Sequence, residues 1–148
     1  MSKNNDITLT PEHLKMLAYS LRNQFNIIDN IKKNIDGIIH KRIPLSNYAE
    51  DLMFMHNNAL QVINGILVFC CENRKVLQEN YRFQMLILTN RLLIFASFLP
   101  SGITCHLNVL SPIPVLKLQV YFKTQMNQLH QDAYTRYETL IKRIKKYY

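Results

Sequence analysis

Residues 111–148 carry one apolar stripe from end to end. Val115, Leu118, Phe122, Met126, Leu129, Ala133, Tyr137, Leu140 and Ile144 recur at steps of three and four, the spacing of a single helical face. Ser111 has the chemistry of an N-cap, and Pro112 suits a first turn, where a missing N–H leaves nothing unpaired. Lys142, Arg143, Lys145 and Lys146 close the segment. A rod of this length cannot bury its own stripe, so the rest of the chain must supply the cover.

Three earlier segments have the same character. Thr10 is an N-cap with Pro11 behind it, and Leu14, Leu17, Leu21, Phe25, Ile28, Ile31, Ile35 and Ile38 line one face as far as Lys41, before Pro44 stops the helix. Gly37 is a weak point inside it, costing about 1 kcal/mol relative to Ala. The second segment is predicted from Ser46, with Leu45 stapling its start, through Leu52, Met55, Ala59, Val62, Ile63, Ile66, Phe69 and Cys70. The third carries Val76, Leu77, Tyr81, Phe83, Leu86, Ile87, Leu93, Ile94 and Phe98 and stops at Pro100. No proline or glycine separates these two. A helix running from Ser46 to Leu99 would be about 80 Å long, more than a compact domain of this size allows, which places a turn near residues 72–74. The stretch 100–111 mixes turn residues with Ile103, Leu107, Val109 and Leu110, and is expected to fold over one end.

The chain is thus expected to be all-α, an up-down-up-down four-helix bundle with a long proline-flanked connection between the third and fourth helices. Residues 1–9 read as a disordered tail and 10–148 as a single domain. Only three glycines and five prolines among 148 residues, with Leu and Ile outnumbering Val and Thr, fit long rods better than sheet.

Alternation of the rods makes a spatial prediction. Residues 72–75, the N-terminus and the basic C-terminus should share one end, gathering Arg74, Lys75, Lys142, Arg143, Lys145, Lys146 and Lys3. The formal net charge is +8, and no acidic residue falls between Glu79 and Asp132. Such a field suits an anionic partner: nucleic acid, an acidic protein surface or anionic lipid. Tyr134, Tyr137, Tyr147 and Tyr148 interleave with Arg136 and the terminal cations, a composition that suits unpaired RNA or single-stranded DNA. Cations at a helix C-terminus also complement its dipole without any partner, and net charge by itself confers solubility.

Asn57, Asn58, Gln61, Asn64 and Gly65 fall on one strip of the second helix, either facing solvent or forming an oligomer interface. Cys70, Cys71 and Cys105 form no disulfide framework and fit a reducing, cytoplasmic setting. The polar run Met1–Thr10 lacks the apolar core of a secretory signal. Zinc would need Cys70, Cys71, Cys105 and His106, but adjacent helical cysteines diverge by about 100° and cannot readily share one ion. The run 59–71 is shorter than the roughly 20 residues of a membrane span, and 92–116 is broken by prolines and Gly102. No Glu precedes a His by three residues, and no phosphate loop, nucleophile elbow or zinc-protease motif is present, so neither catalysis nor a cofactor is expected.

One layout has these parts together. The turn Lys41-Arg42-Ile43-Pro44, the arginine inside Asn90-Arg91-Leu92-Leu93, and a proline-led fourth helix with a basic end resemble the small basic four-helix accessory proteins of diversity-generating retroelements. The resemblance covers most of the chain in layout, without a diagnostic motif. It implies a ring-like oligomer whose basic surfaces bind structured RNA and a reverse transcriptase. The expectation is a non-enzymatic accessory or adaptor protein docking on an anionic partner, RNA first. Its alternative is a protein–protein adaptor, chaperone or pathogen effector using an apolar groove between helices.

Overall fold

The computed structural model describes residues 10–41, 44–75, 79–104 and 115–146. The elements are α1 (Pro11–His40), a 3-10 turn (Leu45–Tyr48), α2 (Ala49–Glu72), α3 (Glu79–Phe98), the short α4 (Ser101–Thr104) and α5 (Val115–Lys145). Among the described residues every regular element is helical, and the four long helices form a bundle. α1 packs on α2 and α5, and α3 packs on α2 and α5, which closes a square.

Pairs of contacts along each seam give the directions. Asp29 meets His130 while Phe25 meets Tyr137, so α1 and α5 run antiparallel. Cys70 meets Met85 and His56 meets Ala96, so α2 and α3 do too. Phe122 meets Phe98 and Arg143 meets Tyr81 along the α3–α5 seam. The chain therefore runs up, down, up and down, as the apolar periodicity requires.

The start of α1 forms as its sequence dictates: the Thr10 hydroxyl accepts the His13 N–H at 3.2 Å, and Pro11 occupies the first turn. All eight stripe residues of α1, Leu14 to Ile38, are buried. The helix continues through Gly37, whose missing side chain leaves open space with no atom within 4 Å. α2 begins later than expected. Residues 45–48 wind as a tighter 3-10 turn, because Leu45 is drawn into the core and its N–H donates to the buried Gln119 side chain at 2.6 Å. Gly102 lies against the Phe122 ring at this same end, where an added Cβ would come within 2.9 Å of it.

The third rod departs from expectation in what it buries. Tyr81 is in the core, but Phe83, Leu86, Leu93 and Ile94, expected on the inward stripe, are exposed. Met85, Leu88, Leu92, Phe95 and Ala96 take the inward places, because α3 is apolar around most of its circumference and neighbouring helices select the face. Among the described residues one stretch, Leu45–Glu72, is long and apolar enough to cross a membrane, with 33% of its window buried. Its inward residues Leu52, Ala59, Val62 and Ile66 are enclosed by the bundle.

Ser111, Pro112, Cys105 and His106, the segment 1–9 with Lys3, the stripe residues Val76 and Leu77, and Tyr147 and Tyr148 lie outside the described residues.

Candidate functional site: the basic pole

α2 ends at Glu72 because the turn 73–75 follows, where Asn73 donates its backbone and side-chain N–H groups to the Phe69 carbonyl. That turn leaves Arg74 and Lys75 exposed. α3 then starts at Glu79, and its second and third residues receive the last turn of α5. The Asn80 side-chain oxygen accepts from both terminal guanidinium nitrogens of Arg143, one at 3.1 Å. The Arg143 guanidinium also lies 6.0 Å from the centre of the Tyr81 ring. These contacts bring the 73–75 turn and the end of α5 to one pole, as the alternation predicts.

The residues singled out there divide into two groups. Arg74, Lys75, Arg136, Lys145 and Lys146 are exposed. Arg143 is half-buried and serves as the clamp between α5 and α3. Lys142 is 72% exposed and pairs with Glu138 at 3.1 Å, one helical turn back. This pairing, with the Tyr134 hydroxyl donating to the same carboxylate, holds Glu138 below the usual carboxylate range. The Tyr134 phenol is in turn raised by that bond and by the nearby charge.

Tyr137 is not presented to a partner. Its ring stacks on Phe25 at 4.3 Å with planes 12° apart, and burial raises its phenol above the ordinary value. Stacking on an unpaired base, expected of Tyr137, is thus unavailable without opening the α1–α5 seam. Residue spacing alone put Tyr137 on the core stripe as well as in the basic cluster, and the core use prevails. Glu72, Glu79 and Glu138 stand among the cations of this pole, so its field is positive but not uniform.

The amide strip on α2 also separates. Asn57, Gln61 and Asn64 are exposed, whereas Gly65 faces the Gln24 side chain of α1, which would lie 3.4 Å from an added Cβ. Gly65 therefore serves packing of α1 on α2 within the chain. Sequence reasoning offered an apolar groove between helices as an alternative but did not place it. A cleft of about 660 Å³ runs between α1 and α2, lined by Ile27, Asn30, Asn34, Gly37, Phe54 and Asn58, with Lys33, Lys41 and Asp51 at its margins. A smaller one of about 430 Å³ continues it past Gln24 and Gln61. The sequence signal was present in Gly37 and in Phe54, a large apolar residue outside the α2 stripe.

Among the described residues no three His, Cys, Asp or Glu side chains gather closely enough to hold a metal ion. Cys70 is half-buried with its thiol against the Met85 sulfur at 3.5 Å, and burial, with the neighbouring Cys71, pushes its pKa up to about 11. It is a poor nucleophile at neutral pH. Comparison with protein-family models, curated proteins and solved structures returns no match.

Proposed function

We propose that this protein is a non-enzymatic helical adaptor that docks its basic pole on an anionic partner, with RNA the favoured class. The observation that carries the reading is that exposed cations from two distant segments, Arg74 and Lys75 with Lys145 and Lys146, and Arg136 further along α5, lie toward the end of the bundle where Arg143 joins α5 to α3. With Tyr137 engaged in the core, recognition rests on phosphate contact more than on base stacking. The resemblance of the sequence layout to retroelement accessory proteins favours RNA over other anions.

Binding of a fluorescent single-stranded RNA, followed by anisotropy, tests this directly. Five phosphate contacts predict a loss of about 100-fold in affinity between 50 and 200 mM salt. Replacing Arg74, Lys75, Lys145 and Lys146 by Ala should flatten that slope and remove most of the binding. Salt-independent binding, or binding indifferent to the four replacements, refutes the reading.

The α1–α2 groove favours a second reading, an adaptor for a partner protein. Its amides can pair with the backbone of a bound segment, while Ile27 and Phe54 supply apolar contact. Retention of one stoichiometric protein partner after nuclease treatment, lost on Phe54→Glu, would select it.

A further inference from the structure

α2 and α3 each bring a sulfur atom to the seam between them. Cys70 stands in the last turn of α2, packed against the core, and Met85 takes an inward place on α3. The register that sets His56 on Ala96 brings these two side chains together as well, and the Cys70 thiol donates to the Met85 thioether at 3.5 Å. Met85 is 1% exposed, Cys70 is half-buried, and Cys71, the next residue, is exposed. One sulfur is thus sealed in the core and the other can be reached from the surface.

A thiol and a thioether are poor partners for hard cations. Calcium and magnesium take oxygens, and structural zinc takes four ligands, a set not gathered among the described residues. Soft sulfur ligands of these two kinds instead select Cu(I). Arg82 supplies the electrostatic complement, one helical turn before Met85 on α3. Its charge acts on Cys70 in the direction that favours the thiolate, and its Nε is buried without a hydrogen-bond partner. A buried donor left unpaired is costly, and an ionised sulfur is a far better acceptor for it than a neutral thiol.

We infer that Cys70 Sγ and Met85 Sδ form a binding site for one soft monovalent cation, Cu(I), with Arg82 balancing the thiolate. On binding, the Cys70 S–H bond breaks and its proton leaves to solvent. Bonds from the ion to both sulfurs replace it, and copper enters and stays as Cu(I), so no electron is transferred. At a metal–sulfur distance of about 2.3 Å, as for zinc, the two sulfurs must part to between about 4 and 4.6 Å. The unbranched, flexible Met85 side chain and the half-buried Cys70 can supply that movement. Cys71 diverges from Cys70 by about 100° around the helix and stands outside the pair. The site goes beyond the docking reading and does not depend on what the basic pole binds.

Anaerobic titration of the full chain with Cu(I), against a chromophoric Cu(I) chelator, tests it. Cys71→Ser with Cys105→Ser leaves Cys70 as the only thiol, and this variant should still take one ion per chain. In that background Cys70→Ser should abolish binding. Met85→Leu, a volume-conserving change, should weaken it at least about 100-fold with helical circular dichroism unchanged. Arg82→Gln, which acts from beyond the two ligands, should weaken it about 10-fold. Failure of the single-thiol variant to bind Cu(I), or an affinity indifferent to Met85→Leu, overturns the proposal.

Discussion

The two seams that α1 makes with its neighbours differ in kind. Against α5 it is sealed: Phe25 stacks on Tyr137, lies 5.9 Å from the rings of both Tyr134 and His130, and the Asp29 carboxylate accepts from His130 Nε2 at 2.7 Å. Against α2 it packs at Gly65 but leaves a surface cleft edged by asparagines, with open space at Gly37. Both seams come from the same helix and from stripes of similar apolar content. The difference lies in the side chains, since aromatic rings stack across one seam and short amides edge the other. Rigidity on one side and access on the other is an arrangement suited to binding.

That contrast can be broken most easily at the aromatic seam. Phe25→Ala should cost about 3–5 kcal/mol of unfolding free energy, because its cavity cannot collapse against a stacked ring. Phe54→Ala, which removes a 67% exposed ring from the groove, should change stability by less than about 0.5 kcal/mol. Denaturant titration of the two variants decides it, and equal costs would dissolve the distinction.

A smaller effect is expected at the polar contact of the sealed seam. His130→Ala removes a half-buried partner of Asp29 and should cost about 1–2 kcal/mol, read in the same titration. Gly37→Ala works in the opposite direction. The site is helical and open, so the variant should gain about 0.5–1 kcal/mol in thermal or chemical melts. A loss there would mean that the cleft is narrower in solution.

The smallest effect is a pH dependence at Glu138. Its folded pKa is depressed, so its contribution is present above the unfolded carboxylate value and is lost as pH falls through the folded one. Glu138→Gln should therefore narrow the gap between melting temperatures at neutral and acid pH. The change should be slight, because the side chain is 43% exposed and solvent screens its charge.

The basic pole was legible because alternation of rods follows from rod length and short turns alone. Arg74 and Lys75 could be put at the same end of the bundle as Lys145 without any contact being known. What each cation does there was not legible. Nothing in the order Lys142-Arg143 tells that the first pairs with Glu138 along its own helix while the second reaches Asn80 on another. The outward leucines of α3 were misassigned for a related reason: a helix apolar on most sides has no unique inward face until neighbours choose one.

From the sequence follow the helical character, the four rods, the buried stripe of α1 and the ends capped at Thr10 and turned after Glu72. These depend on interactions within a few residues, namely periodicity, caps and turn chemistry. Tertiary structure alone decided that Tyr137 stacks inward, that Gln119 is buried to hold Leu45, and that a surface cleft runs along α1 and α2. Those outcomes depend on how volumes from remote segments fit together, and no local pattern encodes the shape of a neighbour.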